Sequence, residues 1–209
     1  YAVDLVGGDT TRGPLNLSVT IMGEVPPGRA LRRDGARQND DIWVSGMLGD
    51  AALALAHLQG HIVLEQQVFA ASSARLHKPC PRVELGLALR GIASSAIDVS
   101  DGLLADLGHI LERSQTGAEI RFEALPCSPQ LRACTSPSLV QRCMLAGGDD
   151  YELCFTASPG QRARIEEISA QLALPLTRIG TISEARGCTV YENGQVMQIK
   201  ELGYEHFAR

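Results

Sequence analysis

Ser94-Ser95-Ala96-Ile97-Asp98-Val99-Ser100-Asp101-Gly102-Leu103-Leu104-Ala105-Asp106-Leu107-Gly108-His109-Ile110 opens as a β-branched run and closes as an amphipathic helix. The hydrophobic period changes from two to nearly four at Ser100 and Asp101. Asp101 or Ser100 can cap the helix, whose apolar stripe is Leu103, Leu104, Leu107, Ile110 and Leu111. Two carboxylates, Asp98 and Asp101, thus flank a hydroxyl at a strand-to-helix junction, where open α/β folds place ligands. Taken alone, the stretch reads first as a helix cap with spare acids. The rest of the chain alters that balance.

Two further glycine–acid loops sit beside apolar strands. Upstream, Gly7-Gly8-Asp9-Thr10-Thr11-Arg12-Gly13-Pro14 follows the apolar run Val3 to Val6 and precedes Leu15, Leu17, Val19 and Ile21, which alternate with polar residues as in a strand. A hairpin loop is the plain reading of that link; an acid-bearing loop open to phosphate or metal is the functional one. Downstream, a short helix over Leu139 to Leu145 delivers Gly147-Gly148-Asp149-Asp150-Tyr151-Glu152 into the apolar strand Leu153 to Thr156.

Between these points helices alternate with strands. Asp40 to Gly46 reads as a short strand, and Gly49-Asp50 caps a following helix through Ala51, Leu53, Ala54, Leu55 and Leu58. Helices over Val63 to Leu76 and Val83 to Ile92 precede the central strand. A strand covers Gly117 to Phe122, and a polar loop covers Pro126 to Ser138. A helix over Ala163 to Leu172 is followed by strands over Thr177 to Ile182, Cys188 to Tyr191 and Val196 to Ile199, with Asn193-Gly194 as a hairpin turn. The alternation implies an α/β domain. The stretch Glu24 to Arg37, rich in Pro, Gly and Arg, reads as a linker.

Composition narrows the function classes. In 209 residues, 44% are hydrophobic and 21% charged, enough for a sizeable core. Net charge is −5 with basic residues scattered, so nucleic acid and anionic membrane are not expected partners. The six cysteines show neither CxxC pairing nor zinc spacing, which suits reduced thiols and a cytoplasmic location. His57 and His61 are four apart, but Gly60 interrupts the helix between them, and surface histidines are the plain reading.

Three acid-bearing loops, at Gly8-Asp9, Asp98/Asp101 and Asp149/Asp150, would repel one another in a single cleft unless cations were bound. Oxygen-only ligands suit magnesium, which bridges phosphates. The chain carries no GxxxxGK[ST] loop and no protein-kinase signature, so a nucleoside triphosphate would be held through acids and magnesium.

In this order, Gly-Gly-Asp-Thr-Thr-Arg-Gly-Pro, Ala-Ile-Asp-Val-Ser-Asp-Gly-Leu, Gly-Gly-Asp-Asp-Tyr-Glu-Leu and the terminal Gly-Tyr-Glu-His-Phe resemble the thiamine-monophosphate kinases. These belong to the superfamily of aminoimidazole ribonucleotide synthetase and selenophosphate synthetase. The resemblance runs from about Asp4 to Phe207. It implies ATP-dependent phosphorylation of thiamine monophosphate to thiamine diphosphate, with Mg2+. Carried over by position, Gly8, Asp9, Arg33 and Ser100 contact ATP; Asp9, Asp98 and Asp101 hold the metal; Asp149 and Tyr204 touch the thiamine moiety. No residue is assigned as an acid or base.

The chain departs from the family in having Asp149 where Glu is usual, one methylene shorter. Glu152 enters the following strand and is not expected to replace it. The family's N-terminal segment is also not represented here. The resemblance therefore implies a C-terminal α/β domain at 40–209, with a mixed sheet and flanking helices. A linker at 27–39 and the end of an N-terminal ATP-binding and dimerisation domain at 1–26, left as two strands, would precede it. The full-length protein would be a homodimer, and these residues alone would be inactive. Two alternatives remain open from the residues: another ATP-using member of the superfamily, such as selenophosphate synthetase, or a non-catalytic nucleotide- or metal-binding module.

Overall fold

A computed structural model describes residues 3–134, 136–199 and 203. Its centre is a seven-stranded mixed sheet ordered β2-β4-β1-β5-β3-β6-β7. The strands are β1 (Asp41–Ser45), β2 (Ser95–Asp98), β3 (Gly117–Arg121), β4 (Leu153–Ala157), β5 (Leu176–Ser183), β6 (Gly187–Glu192) and β7 (Gln195–Val196). Neighbours run antiparallel except β3 and β6, which are parallel. The helices are α1 (Asp50–Leu58), α2 (Gln66–His77), α3 (Val83–Ala88), α4 (Leu103–Ser114), α5 (Pro129–Arg132), α6 (Pro137–Ala146) and α7 (Arg162–Leu172).

Alternation along the strands divides the core in two. Ile42, Val44, Ile97 and Cys154 face a cluster built with Leu53 of α1, the apolar stripe of α4 and Cys143 to Leu145 of α6. Trp43 and Phe155 face the opposite way, against Leu85 and Leu89 near α3 and Ile165 and Ile168 of α7. These two rings are register partners and stack, with centroids 6.4 Å apart. All five residues of β1 are buried, as a strand covered on both faces requires. The stripe Leu103, Leu104, Leu107, Ile110 and Leu111 is buried as its spacing predicts. Cys154 lies fully within the core, and burial pushes its thiol up to about 12. All six cysteines are free.

Several expectations need correction. Leu15, Leu17, Val19 and Ile21 are 76–94% exposed, and among the described residues before β1 no strand forms. A two-strand unit there fails because backbone donors and acceptors need an adjacent edge, and no described strand pairs with this segment. Residues 32–36 are instead a strap along the outer side of β2. The Ala96 N–H donates to the Arg32 carbonyl at 2.9 Å. The Ser114 hydroxyl donates to the Arg33 carbonyl, and the Ala36 N–H donates to Ser114 Oγ, each at 3.1 Å. The second helix begins at Gln66, the third ends at Ala88, and the last strand ends at Val196, all short of their expected limits. The loop after β3 holds the unforeseen α5, capped by Ser128, whose Oγ accepts from the Leu131 N–H. Asn193 and Gly194 have φ of 51° and 79°, as the expected hairpin turn demands.

Candidate active site

Two loops meet at the carboxyl end of β2. The first, Val99 to Gly102, joins β2 to α4; the second, Gly147 to Glu152, joins α6 to β4. They continue the β2–β4 pairing past its end: the Val99 N–H donates to the Glu152 carbonyl (2.8 Å), the Tyr151 N–H to the Val99 carbonyl (2.8 Å) and the Asp149 N–H to the Ser100 carbonyl (2.9 Å). Glycine makes this approach possible. A Cβ on Gly148 would lie 2.3 Å from the Ser100 carbonyl oxygen, and one on Gly102, at φ 120°, would lie 2.8 Å from the Ala146 carbonyl.

The α4 cap is not the expected one. Gly102 occupies the cap position and no side chain caps the helix there. Instead Asp106, one turn into α4, reaches back and accepts from the Ser100 N–H (2.8 Å) and the Asp101 N–H (3.0 Å).

The second loop separates its three acids. Asp150 turns inward: both its oxygens accept from the Gly49 N–H, at 3.0 and 2.9 Å, placing an acid at the start of α1. Burial drives its carboxyl well above the usual range; the Gly49 N–H opposes this, and the charge of nearby Asp50 adds to it. Asp50 is itself raised by burial, against a hydrogen bond from the Ser128 hydroxyl. Glu152 is 3% exposed and receives a two-pronged hydrogen bond from Arg82 and another from the Ser45 hydroxyl. Only Asp149 of the three faces the cleft.

That cleft has a volume of about 750 Å³. Ser100, Asp101, Asp149 and Tyr151 form its acidic side, and Arg142 and His61 also line it. Asp149 and Tyr151 hold left-handed φ of 66° and 49°, conformations that cost a side-chain-bearing residue about 1–2 kcal/mol. Such strain is typical of functional loops. The Tyr151 hydroxyl donates to Asp149 Oδ1 at 3.4 Å. Burial raises the tyrosine's pKa, and so do the charges of Asp149, Asp98 and Asp101, which places its ring within electrostatic reach of all three acids. A hollow of about 520 Å³ adjoins this cleft through His61, Arg142 and Ala146, without touching the acids.

Ser100, Asp101 and Asp149 therefore meet in one cleft, with the exposed Asp98 at the end of β2 beside it. Gly8 and Asp9 are exposed and line neither hollow; Asp9 accepts from the Thr10 N–H. Arg33 lies by the last residue of α4, about 18 Å of helix away from Asp101. Tyr204 lies outside the described residues, although Gly203 packs against the Asp101 carbonyl. Among the described residues no group of three or more His, Cys, Asp or Glu forms a metal cluster. Asp98 and Asp101 nevertheless suit magnesium, which is commonly bound by one or two carboxylates plus water and phosphate. His57 is engaged structurally, its Nδ1 accepting from the Leu64 N–H and its ring against Phe69. Sequence reasoning missed Tyr151, signalled by its place among three acids, and Asp106, signalled by an acid inside an apolar stripe. Arg142 gave no signal.

With sheet and cleft defined, the comparison is direct: the chain belongs to the family described as AIR synthase related protein, C-terminal domain, whose model matches residues 37–193. Within that class, the thiamine-monophosphate kinase of Salmonella typhimurium is 42% identical over 210 residues, covering 100% of this chain and 65% of that protein. The chain thus spans 65% of that relative's length. The crystal structure of thiamine-monophosphate kinase from Stenotrophomonas maltophilia is similar, with a TM-score of 0.75 and 47% identity over 83% of this chain and 56% of that one. AaThiL complexed with AMPPCP and TMP has a TM-score of 0.68 and 30% identity over 85% of this chain and 54% of that one.

Proposed function

We propose that this chain belongs to an enzyme that transfers the γ-phosphoryl group of ATP to the phosphate of thiamine monophosphate. The bond to ADP breaks as a new phosphoanhydride forms, giving thiamine diphosphate. The convergence of Ser100, Asp101 and Asp149 in one cleft carries this reading, because those residues come from two separate motifs. The relative complexed with AMPPCP and TMP supports it.

In this reading Asp98 and Asp101 hold Mg2+, joined by Asp9. When bound, the ion neutralises charge on the triphosphate. Ser100, Gly8, Asp9 and Arg33 contact ATP, the hydroxyl and guanidinium donating to phosphate oxygens. Asp149 and Tyr204 receive the cationic thiazolium through Coulomb and cation–π attraction. The protein's work is chiefly positioning and electrostatics, as phosphoryl transfer requires. Residues 1–26 belong to a further ATP-binding and dimerisation unit, and the complete enzyme is a cytoplasmic homodimer. These 209 residues alone do not turn over in this reading, because they span 65% of the relative's length and positioning dominates the chemistry.

The test is ADP release by the complete protein with MgATP, in the presence and absence of thiamine monophosphate, with thiamine diphosphate identified as product. Release that is independent of thiamine monophosphate, or nucleotide binding without turnover, overturns the assignment.

A further inference from the structure

We propose that Asp106 is a positioning residue that fixes the Ser100–Asp101 backbone so that both side chains face the cleft that Asp149 also lines. The proposal rests on the functional reading above for its consequence, but on geometry for its substance. Acids at helix starts usually serve their own helix, accepting from its first-turn N–H groups. Asp106 does something else. It is 3% exposed, and its single oxygen Oδ2 accepts from two N–H groups that precede the helix, at Ser100 and Asp101. Its own N–H meanwhile makes the ordinary helical bond to the Gly102 carbonyl at 2.9 Å.

The Ser100 residue is therefore gripped from both sides. Asp106 accepts from its N–H, and its carbonyl accepts from the Asp149 N–H at 2.9 Å. The two cleft-forming loops are registered against each other through Val99 and Ser100, and at Ser100 that register is referred to α4 by Asp106. Two backbone donors held within 3.0 Å define the directions in which the Ser100 and Asp101 side chains leave the chain. Without the acceptor, two part-buried N–H groups would lose this partner at a sharp junction, and the loop would turn to satisfy them elsewhere. Asp101, whose carboxylate must point outward, would turn with it.

The test uses Asp106→Asn and Asp106→Leu in the complete protein. One oxygen accepts both bonds, so the asparagine carbonyl oxygen can replace it, whereas leucine keeps similar bulk without an acceptor. Amide exchange at Ser100 and Asp101 is read by NMR, Mn2+ binding by electron paramagnetic resonance with the metal alone, and folding by thermal melting. Wild type and Asp106→Asn are expected to protect both amides and bind Mn2+ within about threefold of each other. Asp106→Leu is expected to lose both protections and weaken Mn2+ about 10–100-fold, the range for residues that orient metal ligands. A melting change alone would not produce that selective split.

Equal loss in both variants, or a folded Asp106→Leu that keeps wild-type Mn2+ affinity, overturns the proposal. Unprotected Ser100 and Asp101 amides in wild type also overturn it, whatever the leucine variant does. Should Asp106→Leu fail to fold, Asp106→Glu, with charge kept and oxygen displaced by a methylene, is expected to show the same two losses, and its failure to do so refutes the role. If wild type binds no Mn2+, the metal assignment falls, while the amide exchange still decides for or against Asp106.

Discussion

Replacing Arg82 by alanine removes both prongs of its bond to Glu152, whose side chain is 3% exposed. The Ser45 hydroxyl then remains as the described partner of a buried carboxylate. Breaking a buried ion pair from one side costs about 3–5 kcal/mol, because an uncompensated charge is left behind. The pocket leaves little room for water to compensate: a Cβ on Gly46 would come within 2.1 Å of Glu152 Oε1. For a chain of this size each kcal/mol lowers the melting temperature by about 2–4 °C, so the expected fall is roughly 6–20 °C. Urea unfolding should show the midpoint drop with an unchanged slope. The double variant Arg82→Met/Glu152→Met should recover at least half of the loss, since apolar residues can replace a buried pair at little net cost. A single-variant loss below about 1 kcal/mol, or a double variant as damaged as the sum of both singles, would refute this account.

Asp101→Asn in the complete protein should lower turnover about a hundredfold or more while the protein stays folded, because it removes a charge from the cleft and keeps the side chain's size; equal loss of fold and activity would count against a metal role. Gly148→Ala forces a Cβ onto the Ser100 carbonyl at 2.3 Å and should cost about 1–3 kcal/mol, with loss of nucleotide binding measured by calorimetry. Asp150 and Asp50 have folded-state values raised above the unfolded ones. Their stabilisation is therefore full below the ordinary carboxylate range and is lost as pH rises through the raised values. Asp150→Asn should flatten the decline of stability above the ordinary carboxylate range, and a titration by urea midpoint checks it. Asp41 behaves oppositely: burial raises its carboxyl, but hydrogen bonds from Arg162 and Arg178 outweigh that and hold it low. Its contribution is present above the ordinary carboxylate range and lost as pH falls through its lowered value, so Arg162→Ala should weaken the protein selectively at neutral pH.

Much of the fold was legible because most elements announce themselves by period. Leu103 to Leu111 can bury a face only as a helix, and β1 and β4 carry apolar residues on both sides because helices cover both. The same period misled at Leu15 to Ile21, since alternation specifies which face is apolar but not whether an edge exists to pair with. At the site, Ser100, Asp101 and Asp149 could be named from motifs. Their setting could not, because it depends on backbone groups: the carbonyl of Ser100, the N–H of Gly49, and the reach of Asp106 back across one turn. The three acids of Asp149-Asp150-Tyr151-Glu152 look alike in sequence. Only burial tells the one in the cleft from the two that hold the loop in place.

The sheet order has a consequence for how the chain reaches this state during synthesis. Every ladder joins at least one strand from the last third of the chain: β1 pairs with β4 and β5, β2 with β4, β3 with β5 and β6, and β6 with β7. The first three strands never pair with one another. A nascent chain that has emerged only as far as α6 therefore holds β1, β2 and β3 with no native partner, their apolar faces open to solvent or to a chaperone. At about 5–20 residues per second on the ribosome, that exposure lasts several seconds before β4 and β5 arrive to close the centre. A ribosome stalled near Gly147 should accordingly display residues 41–121 open to proteases, and one stalled well past Ser183 a resistant core in this domain.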